Sequence, residues 1–254
     1  YGLFTVPNGT GPEGGFPAIV FLHGYLNPEA YVTTERYVAY QAAFARSGYV
    51  TFKPDLRGHG RSEGEAVAAN FSDAYVTDAL NAAASLAKYT DVNGEKLGMW
   101  GHSMGGGITL RAMVVSDEIK AGVIWAGVVG TYEDLLERYR RRIPWMSSPS
   151  AITRRAYLEF TEKYGSPSAN PEFWGKIDPY SYLADISGPV QLHHGTADSS
   201  VPIEFSQRLK DGLESTGKTV ELFTYAGDDH NISVNLSKAL SRSVEFFDNY
   251  LKAP

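Results

Sequence analysis

The sequence predicts an α/β fold in which a mostly parallel β-sheet is covered by helices on both faces. Short apolar segments with strand character alternate with segments of helical periodicity along the 254 residues. A glycine-flanked serine lies between one such strand and helix, and two later strands are followed by an acidic residue and a histidine. Alternation of this kind is typical of parallel sheets, because each helix returns the chain to the edge where the previous strand began.

The predicted elements follow from the spacing of the apolar residues. Strands are expected near residues 17–22, 49–53, 96–101, 121–126, 190–194 and 220–225. Helices are expected near residues 33–47, 73–89, 104–115, 203–216 and 235–251, with two more over 131–142 and 150–164.

Residues 101–105, with the sequence GHSMG, end a predicted strand and begin a predicted helix. Strand, G-x-S-x-G and helix in this order are the context of a nucleophile elbow, a sharp turn that exposes the serine above the sheet. The helix N-terminus directs free N–H groups to the place where negative charge develops during acyl transfer. Ser103 is therefore the predicted nucleophile. The alternative is a glycine-rich turn in which Ser103 only caps the helix.

A second segment, GRSEG at residues 60–64, matches the same pattern. Its approach is polar and rich in glycine, and no clear helix follows it. A G-x-S-x-G pattern without a strand and a helix around it indicates a loop. Ser62 is therefore expected to have a structural role.

A serine nucleophile requires a general base, and the base requires a carboxylate that orients it. In chains with this elbow, the acid and then the histidine follow the serine. Asp198 and His230 each follow a predicted strand, at the edge where open α/β sheets place their sites. Asp228 and Asp229 are the alternative acids, disfavoured because they are so close in sequence to His230.

The first apolar strand opens onto His23, Gly24 and Tyr25. A loop in this position supplies a backbone N–H that faces the nucleophile, and a glycine permits the close approach. The predicted oxyanion hole consists of the backbone N–H groups of Tyr25 and Met104. An ordinary turn after the strand is the alternative.

A long connection interrupts the alternation before residue 190, and it is rich in aromatic residues. We expect residues 131–182 to form a helical cap over the site, and residues 1–130 and 183–254 to form the α/β core. Trp145 and Trp174 are expected to line the substrate pocket. A helical excursion on the side of the domain is the alternative.

Composition restricts the class of protein further. The length and the 43% of hydrophobic residues suit a single α/β domain with a large core. A net charge of −6 and the lack of a long basic stripe argue against a nucleic-acid partner, and no apolar run is long enough to span a membrane. No motif indicates a metal ion or a nucleotide, so no cofactor is expected. With no cysteine and with Tyr1 as its first residue, the chain is compatible with a cytoplasmic protein and with an exported bacterial protein whose leader has been removed.

Four motifs together resemble the α/β-hydrolase superfamily, in its order and at suitable spacings. They are FLHG at 21–24, PDLRGHGRS at 54–62, GHSMGG at 101–106 and HGTAD at 194–198. The combination is most similar to the prolyl-oligopeptidase-like and dienelactone-hydrolase-like branch, which includes many esterases and feruloyl esterases. The resemblance implies an α/β-hydrolase fold, here with a helical cap insertion.

Two departures from that branch bear on function. Dienelactone hydrolases use a cysteine nucleophile, and this chain has no cysteine. Prolyl-oligopeptidase relatives carry a large N-terminal propeller, whereas only residues 1–16 precede the first predicted strand here. Both favour a stand-alone serine carboxylesterase that acts on small-molecule esters, including aryl or feruloyl esters. The alternatives are a serine peptidase that acts on short peptides and a non-catalytic binding module.

Overall fold

The computed structural model describes residues 1–147 and 149–252, apart from the side chains of Trp145 and Ser147. The strands in chain order are β1 (Gly2–Thr5), β2 (Phe16–Leu22), β3 (Val50–Pro54), β4 (Val92–His102), β5 (Ala121–Trp125), β6 (Val190–Gly195) and β7 (Val220–Tyr225). They form one seven-stranded sheet in the order β1-β3-β2-β4-β5-β6-β7. Within the described part of the chain, β1 alone is antiparallel to its neighbour, and the other strand pairs are parallel. The predicted α/β class is confirmed.

The helices in chain order are α1 (Val38–Arg46), α2 (Ala74–Leu86), α3 (Met104–Val115), α4 (Pro144–Ser147), α5 (Ala151–Tyr164), α6 (Pro171–Ile177), α7 (Glu204–Ser215) and α8 (Leu236–Phe247). The helix expected from residue 33 begins only at Val38, because Tyr37 has a left-handed backbone with φ of 63°. The single helix expected over 131–142 is divided into two shorter helical pieces, with Tyr139 between them. A wide helical turn, Asp134–Arg138, and a 3₁₀ turn, Arg140–Arg142, occupy those positions.

Two layers of helices cover the sheet. Alternate residues of β2 point to opposite faces, as the pleat of a strand requires. Val20 and Leu22 lie in one buried cluster together with residues of α2 and α3, whereas Ile19 and Phe21 lie in another together with residues of α1 and α8. Every residue of β2 is buried, which is typical of a parallel strand with helices on both faces. This arrangement leaves the carboxyl edge of the sheet to its loops.

The connection between β5 and β6 packs on the rest of the molecule through aromatic side chains. Phe71, in the 3₁₀ turn Ala69–Phe71, has ring contacts with Tyr132 at 6.5 Å and with Phe160 of α5 at 5.3 Å between centroids. Within the described ranges, no helix is long and apolar enough to cross a membrane.

Candidate active site

Ser103 connects β4 to α3 in a strained turn. Its φ of 55° and ψ of −117° are rare for a residue other than glycine. A Cβ atom at Gly105 would lie 2.1 Å from the carbonyl oxygen of Leu22, so only glycine permits this packing. The N–H of Ser103 donates to the carbonyl of Trp125 at 2.9 Å and fixes the turn against β5. The strand, sharp turn and helix predicted around residue 103 are all present.

The second G-x-S-x-G segment lies in an irregular loop, as predicted. The chain from residue 61 to residue 68 contains no helix or strand. The Ser62 hydroxyl accepts a hydrogen bond from the exposed N-terminal ammonium of Tyr1 at 3.3 Å. Ser62 therefore lacks the setting of an elbow.

Asp198 and His230 meet across the loops that follow β6 and β7. His230 Nδ1 lies 2.7 Å from Asp198 Oδ2. Because a carboxylate oxygen accepts, Nδ1–H donates, and Nε2 of the neutral ring keeps a free lone pair. The side chain of Asp198 is 1% exposed and that of His230 is 19% exposed. The pair thus combines a buried acid with a more accessible imidazole.

Several donors surround the Asp198 carboxylate. Its Oδ1 accepts the backbone N–H groups of Ser200 at 2.7 Å and Val201 at 2.9 Å, and His194 Nε2 lies 3.2 Å from Oδ2. Burial disfavours the charged form, but the hydrogen bonds from His194 and His230 outweigh it and hold the pKa of Asp198 below its usual range. Asp198 is therefore ionised at neutral pH.

The two alternative acids have a different role in the same loop. Their carboxylates accept backbone N–H groups of the residues that follow. Those partners are Val234 and Asn235 for Asp228, and Asn231 and Ser233 for Asp229. These contacts shape the loop that carries His230, and they favour Asp198 as the orienting acid.

The loop that carries His230 is joined to the strand that carries Ser103. His102, the last residue of β4, has its Nε2 atom 3.0 Å from the carbonyl oxygen of His230. The two imidazole rings lie 4.7 Å apart between centroids. The structure thereby brings the predicted base to the end of the predicted nucleophile's strand.

The two N–H groups predicted as the oxyanion hole are free of other partners. Within residues 1–147 and 149–252, neither the N–H of Tyr25 nor that of Met104 makes a hydrogen bond. Met104 is the first residue of α3, where the N–H has no partner in its own helix. A Cβ atom at Gly24 would lie 3.2 Å from Ser103 Cβ, so the loop after β2 passes directly beside the elbow.

A cavity of about 390 Å³ adjoins Ser103. Its walls are formed by Tyr25, Met104, residues 66–71 and the start of α5, including Ile152. None of the described lining residues is charged. Residues 66–71 were not among the predicted site residues, and their only sequence signal is an uncharged AVAANF segment after a glycine-rich loop.

Of the two tryptophans expected in the pocket, Trp174 is not among the described residues that line the cavity beside Ser103. The side chain of Trp145 lies outside the described part of the chain. Trp174 is 3% exposed, its ring lies 4.9 Å from that of Tyr132, and its Nε1–H donates to the carbonyl of Gly165. It borders a separate cavity of about 300 Å³ together with Arg208. A role of these tryptophans in substrate binding stays a prediction.

The sequence model of the prolyl oligopeptidase family matches residues 36–254. The chain belongs to this family. One relative of this chain is a probable dipeptidyl peptidase 4 of Aspergillus flavus. The two sequences are 26% identical over 258 residues, and the match covers 94% of this chain and 30% of that protein. Two further relatives are a probable dipeptidyl-aminopeptidase B of Fusarium vanettenii and a probable dipeptidyl peptidase 4 of Emericella nidulans. The chain spans between 22% and 30% of the length of these three proteins.

Other proteins similar to this family member include two that the chain covers over most of their own length. The putative esterase YitV of Bacillus subtilis is 24% identical over 92% of this chain and 89% of its own. Among solved structures, the uncomplexed acylaminoacyl peptidase of Pyrococcus horikoshii has a TM-score of 0.75 at 23% identity, over 98% of this chain and 39% of its own. Est1E of Butyrivibrio proteoclasticus, solved with ferulic acid bound, has a TM-score of 0.67 at 19% identity, over 96% and 94%. These likenesses confirm the α/β-hydrolase fold.

Proposed function

We propose that this family member is a serine carboxylesterase that cleaves esters with a bulky, uncharged acyl or alcohol group. The observation that carries this proposal is the cavity of about 390 Å³ beside Ser103, whose described lining is free of charged side chains. Pockets for small molecules are mostly apolar, with a few polar groups that orient the ligand. Aryl and feruloyl esters fit this description.

The geometry supports an acyl-enzyme mechanism. Ser103 Oγ attacks the ester carbonyl carbon while His230 Nε2 takes its proton, and Asp198 stabilises the imidazolium. The N–H groups of Tyr25 and Met104 bind the oxyanion of the tetrahedral intermediate. The intermediate collapses as the C–O bond breaks, and His230 returns the proton to the leaving alcohol. Water then attacks the acyl-enzyme in the same way and releases the carboxylic acid.

We further propose that residues 131–182 act as a cap that selects substrates. Residues 149, 150, 152 and 153 of this segment line the cavity beside Ser103. The catalytic groups lie outside the segment, so the cap sets which acyl or alcohol group fits without taking part in the chemistry.

Peptide hydrolysis is the second candidate, and family membership with relatives named as peptidases favours it. An enzyme that binds a free peptide N-terminus must compensate an ammonium group removed from water, usually with a carboxylate. The described lining of the cavity offers none. We therefore rank esters above peptides with a free N-terminus.

A hydrolysis panel tests the proposal. It compares p-nitrophenyl and aryl esters of graded acyl length with dipeptidyl and acyl-peptide anilides. We expect kcat/KM to be higher for the esters. Ser103→Ala should lower kcat on the best ester by a factor on the order of 10⁶, as is typical for loss of a triad nucleophile.

Ser62→Ala is the matched control, since it removes a serine from the other G-x-S-x-G segment. It should retain kcat within a few-fold. A higher kcat/KM for the anilides than for the esters would contradict the esterase proposal and favour a peptidase. An active Ser103→Ala enzyme would remove Ser103 from the mechanism.

A further inference from the structure

A chain of hydrogen bonds connects the loop after β2 with the loop that carries His230. The N–H of Gly24 donates to Tyr37 Oη at 2.9 Å. Tyr37 Oη lies 2.8 Å from His102 Nδ1, and His102 Nε2 lies 3.0 Å from the carbonyl oxygen of His230. Tyr37 and His102 thus bridge the loop after β2 and the loop that carries His230.

The donors and acceptors fix the direction of this chain. A carbonyl oxygen only accepts, so His102 carries its proton on Nε2 and donates it to His230. Nδ1 is then an acceptor, and the Tyr37 hydroxyl donates to it while accepting from Gly24. Burial, with a smaller effect from neighbouring His230, lowers the pKa of His102 to about 4, which preserves the neutral ring at neutral pH.

The local structure holds Tyr37 for this position. Its backbone has φ of 63°, a conformation that is unfavourable for a residue other than glycine. Its ring packs against Tyr40 at 5.6 Å and Trp100 at 5.8 Å between centroids. A Cβ atom at Gly24 would lie 3.0 Å from the Tyr37 hydroxyl, so the glycine makes room for the contact.

We propose that Tyr37, acting through Gly24 and His102, is a positioning residue that aligns the oxyanion-binding groups with His230. The inference rests on the proposed function. Engaging the N–H of Gly24 orients the next peptide, which carries the N–H of Tyr25. At the other end, the bond to the His230 carbonyl fixes the backbone from which the imidazole projects. Tyr37 itself is assigned no contact with the reacting atoms.

Tyr37→Phe tests the role by deleting one oxygen atom. We expect kcat on the best substrate of the panel to fall about 10- to 100-fold, since small misplacements of catalytic groups have effects of this size. KM should change less than about threefold, because the lost alignment acts in the transition state. The melting temperature should stay close to that of the unmodified protein.

Tyr40→Phe is the matched control, in the first turn of α1, which begins directly after Tyr37. The Tyr40 ring packs against Trp100 and Trp125, but its hydroxyl makes no hydrogen bond within the described residues. This variant should keep kcat. Equal losses in the two variants would assign both hydroxyls to packing and overturn the inference.

A double-variant cycle tests the chain itself. His102→Gln interrupts the same connection, so the double variant with Tyr37→Phe should lose no more kcat than the worse single variant. Losses that multiply would show independent action and overturn the inference. His102→Gln also supplies the second measurement should Tyr37→Phe fail to fold, with the same expected loss of kcat at unchanged KM.

The rate at which a fluorophosphonate labels Ser103 separates this inference from the proposed function. Labelling requires an aligned base and oxyanion hole but no particular substrate. Slower labelling of Tyr37→Phe than of Tyr40→Phe supports the positioning role, even if the panel rejects esters. Equal labelling rates overturn the positioning role and leave the esterase proposal intact.

Discussion

Asp198 has two histidine neighbours, and their surroundings give them different roles. His194 is fully buried; its Nδ1 pairs with the Ser206 hydroxyl at 2.7 Å, and its Nε2 faces the carbonyl of Val201 and Asp198. Both nitrogens of this ring are occupied within the fold. His230 uses only Nδ1 on Asp198 and is 19% exposed. These contacts favour His230 over His194 as the proposed base.

At this scale we predict that Asp198→Asn lowers kcat by about 10³- to 10⁴-fold. A carboxamide that presents its NH₂ group to His230 Nδ1 favours the wrong tautomer and leaves Nε2 protonated. Steady-state kinetics on the best ester measures the effect, with circular dichroism to confirm the fold.

Asp229→Asn is the control for that variant, because the amide oxygen can still accept from the loop backbone. It should retain kcat within about tenfold. The reverse result, with Asp229→Asn inactive and Asp198→Asn active, would assign the orienting acid to Asp229.

Among the larger elements, α5 contributes to the pocket through its first turn, whereas its later residues either pack on the core, as Phe160 does, or face solvent, as Leu158 does. Ile152 lines the cavity beside Ser103 and is 44% exposed. Leu158 lies on the same helix, is 52% exposed and is absent from the lining. Ile152 and Leu158 have side chains of the same size, but only Ile152 contacts the cavity.

We predict that Ile152→Ala changes the ranking of esters by acyl or alcohol size, because it enlarges the cavity without touching the catalytic groups. Leu158→Ala should leave the ranking unchanged. The measurement is kcat/KM across the ester series, normalised to the smallest ester. Identical profiles for the two variants would contradict a selective role of the start of α5.

Trp174 gives the contrasting case within the same segment. Truncating a buried aromatic residue usually costs about 3–5 kcal/mol, so Trp174→Ala should lower the free energy of unfolding by this order. A changed ranking of substrates in Trp174→Ala would support the pocket role expected from the sequence. Lost stability with an unchanged ranking would assign the side chain to packing of the segment.

Over the whole molecule, three buried histidines make stability depend on pH. Burial lowers the pKa of His23 to about 3, of His102 to about 4 and of His193 to about 3. In the unfolded chain such rings bind protons once the pH falls below about 6.5. Between these limits the unfolded state binds more protons than the folded state, so the free energy of unfolding falls as the pH is lowered.

We predict a loss of about 1 kcal/mol per pH unit for each of these rings between pH values of about 6 and 4. Denaturant unfolding at several pH values measures the slope. Replacing His193 by Gln should remove the contribution of about one proton, so the slope should fall by about 1 kcal/mol per pH unit. A free energy of unfolding that stays constant across this range would contradict the neutral, buried state of these histidines.

The sequence was sufficient for features that depend on local periodicity and on motifs with a fixed local geometry. The strands from β2 to β7 and the helix after Ser103 contain apolar residues at spacings that indicate their type, and GHSMG between a strand and a helix is typical of a sharp turn. The difference between the single helix expected over 131–142 and the two helical pieces observed there has a physical reason as well. Helical spacing shows only that one side of a segment is buried, and a wide turn buries Leu135 and Leu136 equally well.

What the sequence by itself determined is the positions of the strands from β2 to β7, the elbow and which residues follow the strands, because each depends on residues close together in the chain. Only the tertiary structure decided that residues 66–71 and the first turn of α5 line the cavity, that Trp174 is buried beside Tyr132, and that Tyr37 bridges Gly24 and His102. These contacts join segments far apart in the chain, and the side chains involved have no periodic pattern that marks their partners. Many side chains of similar size and polarity could make such contacts. The packing of the elements against each other decides which of them meet, so these partners can be identified only from the folded structure.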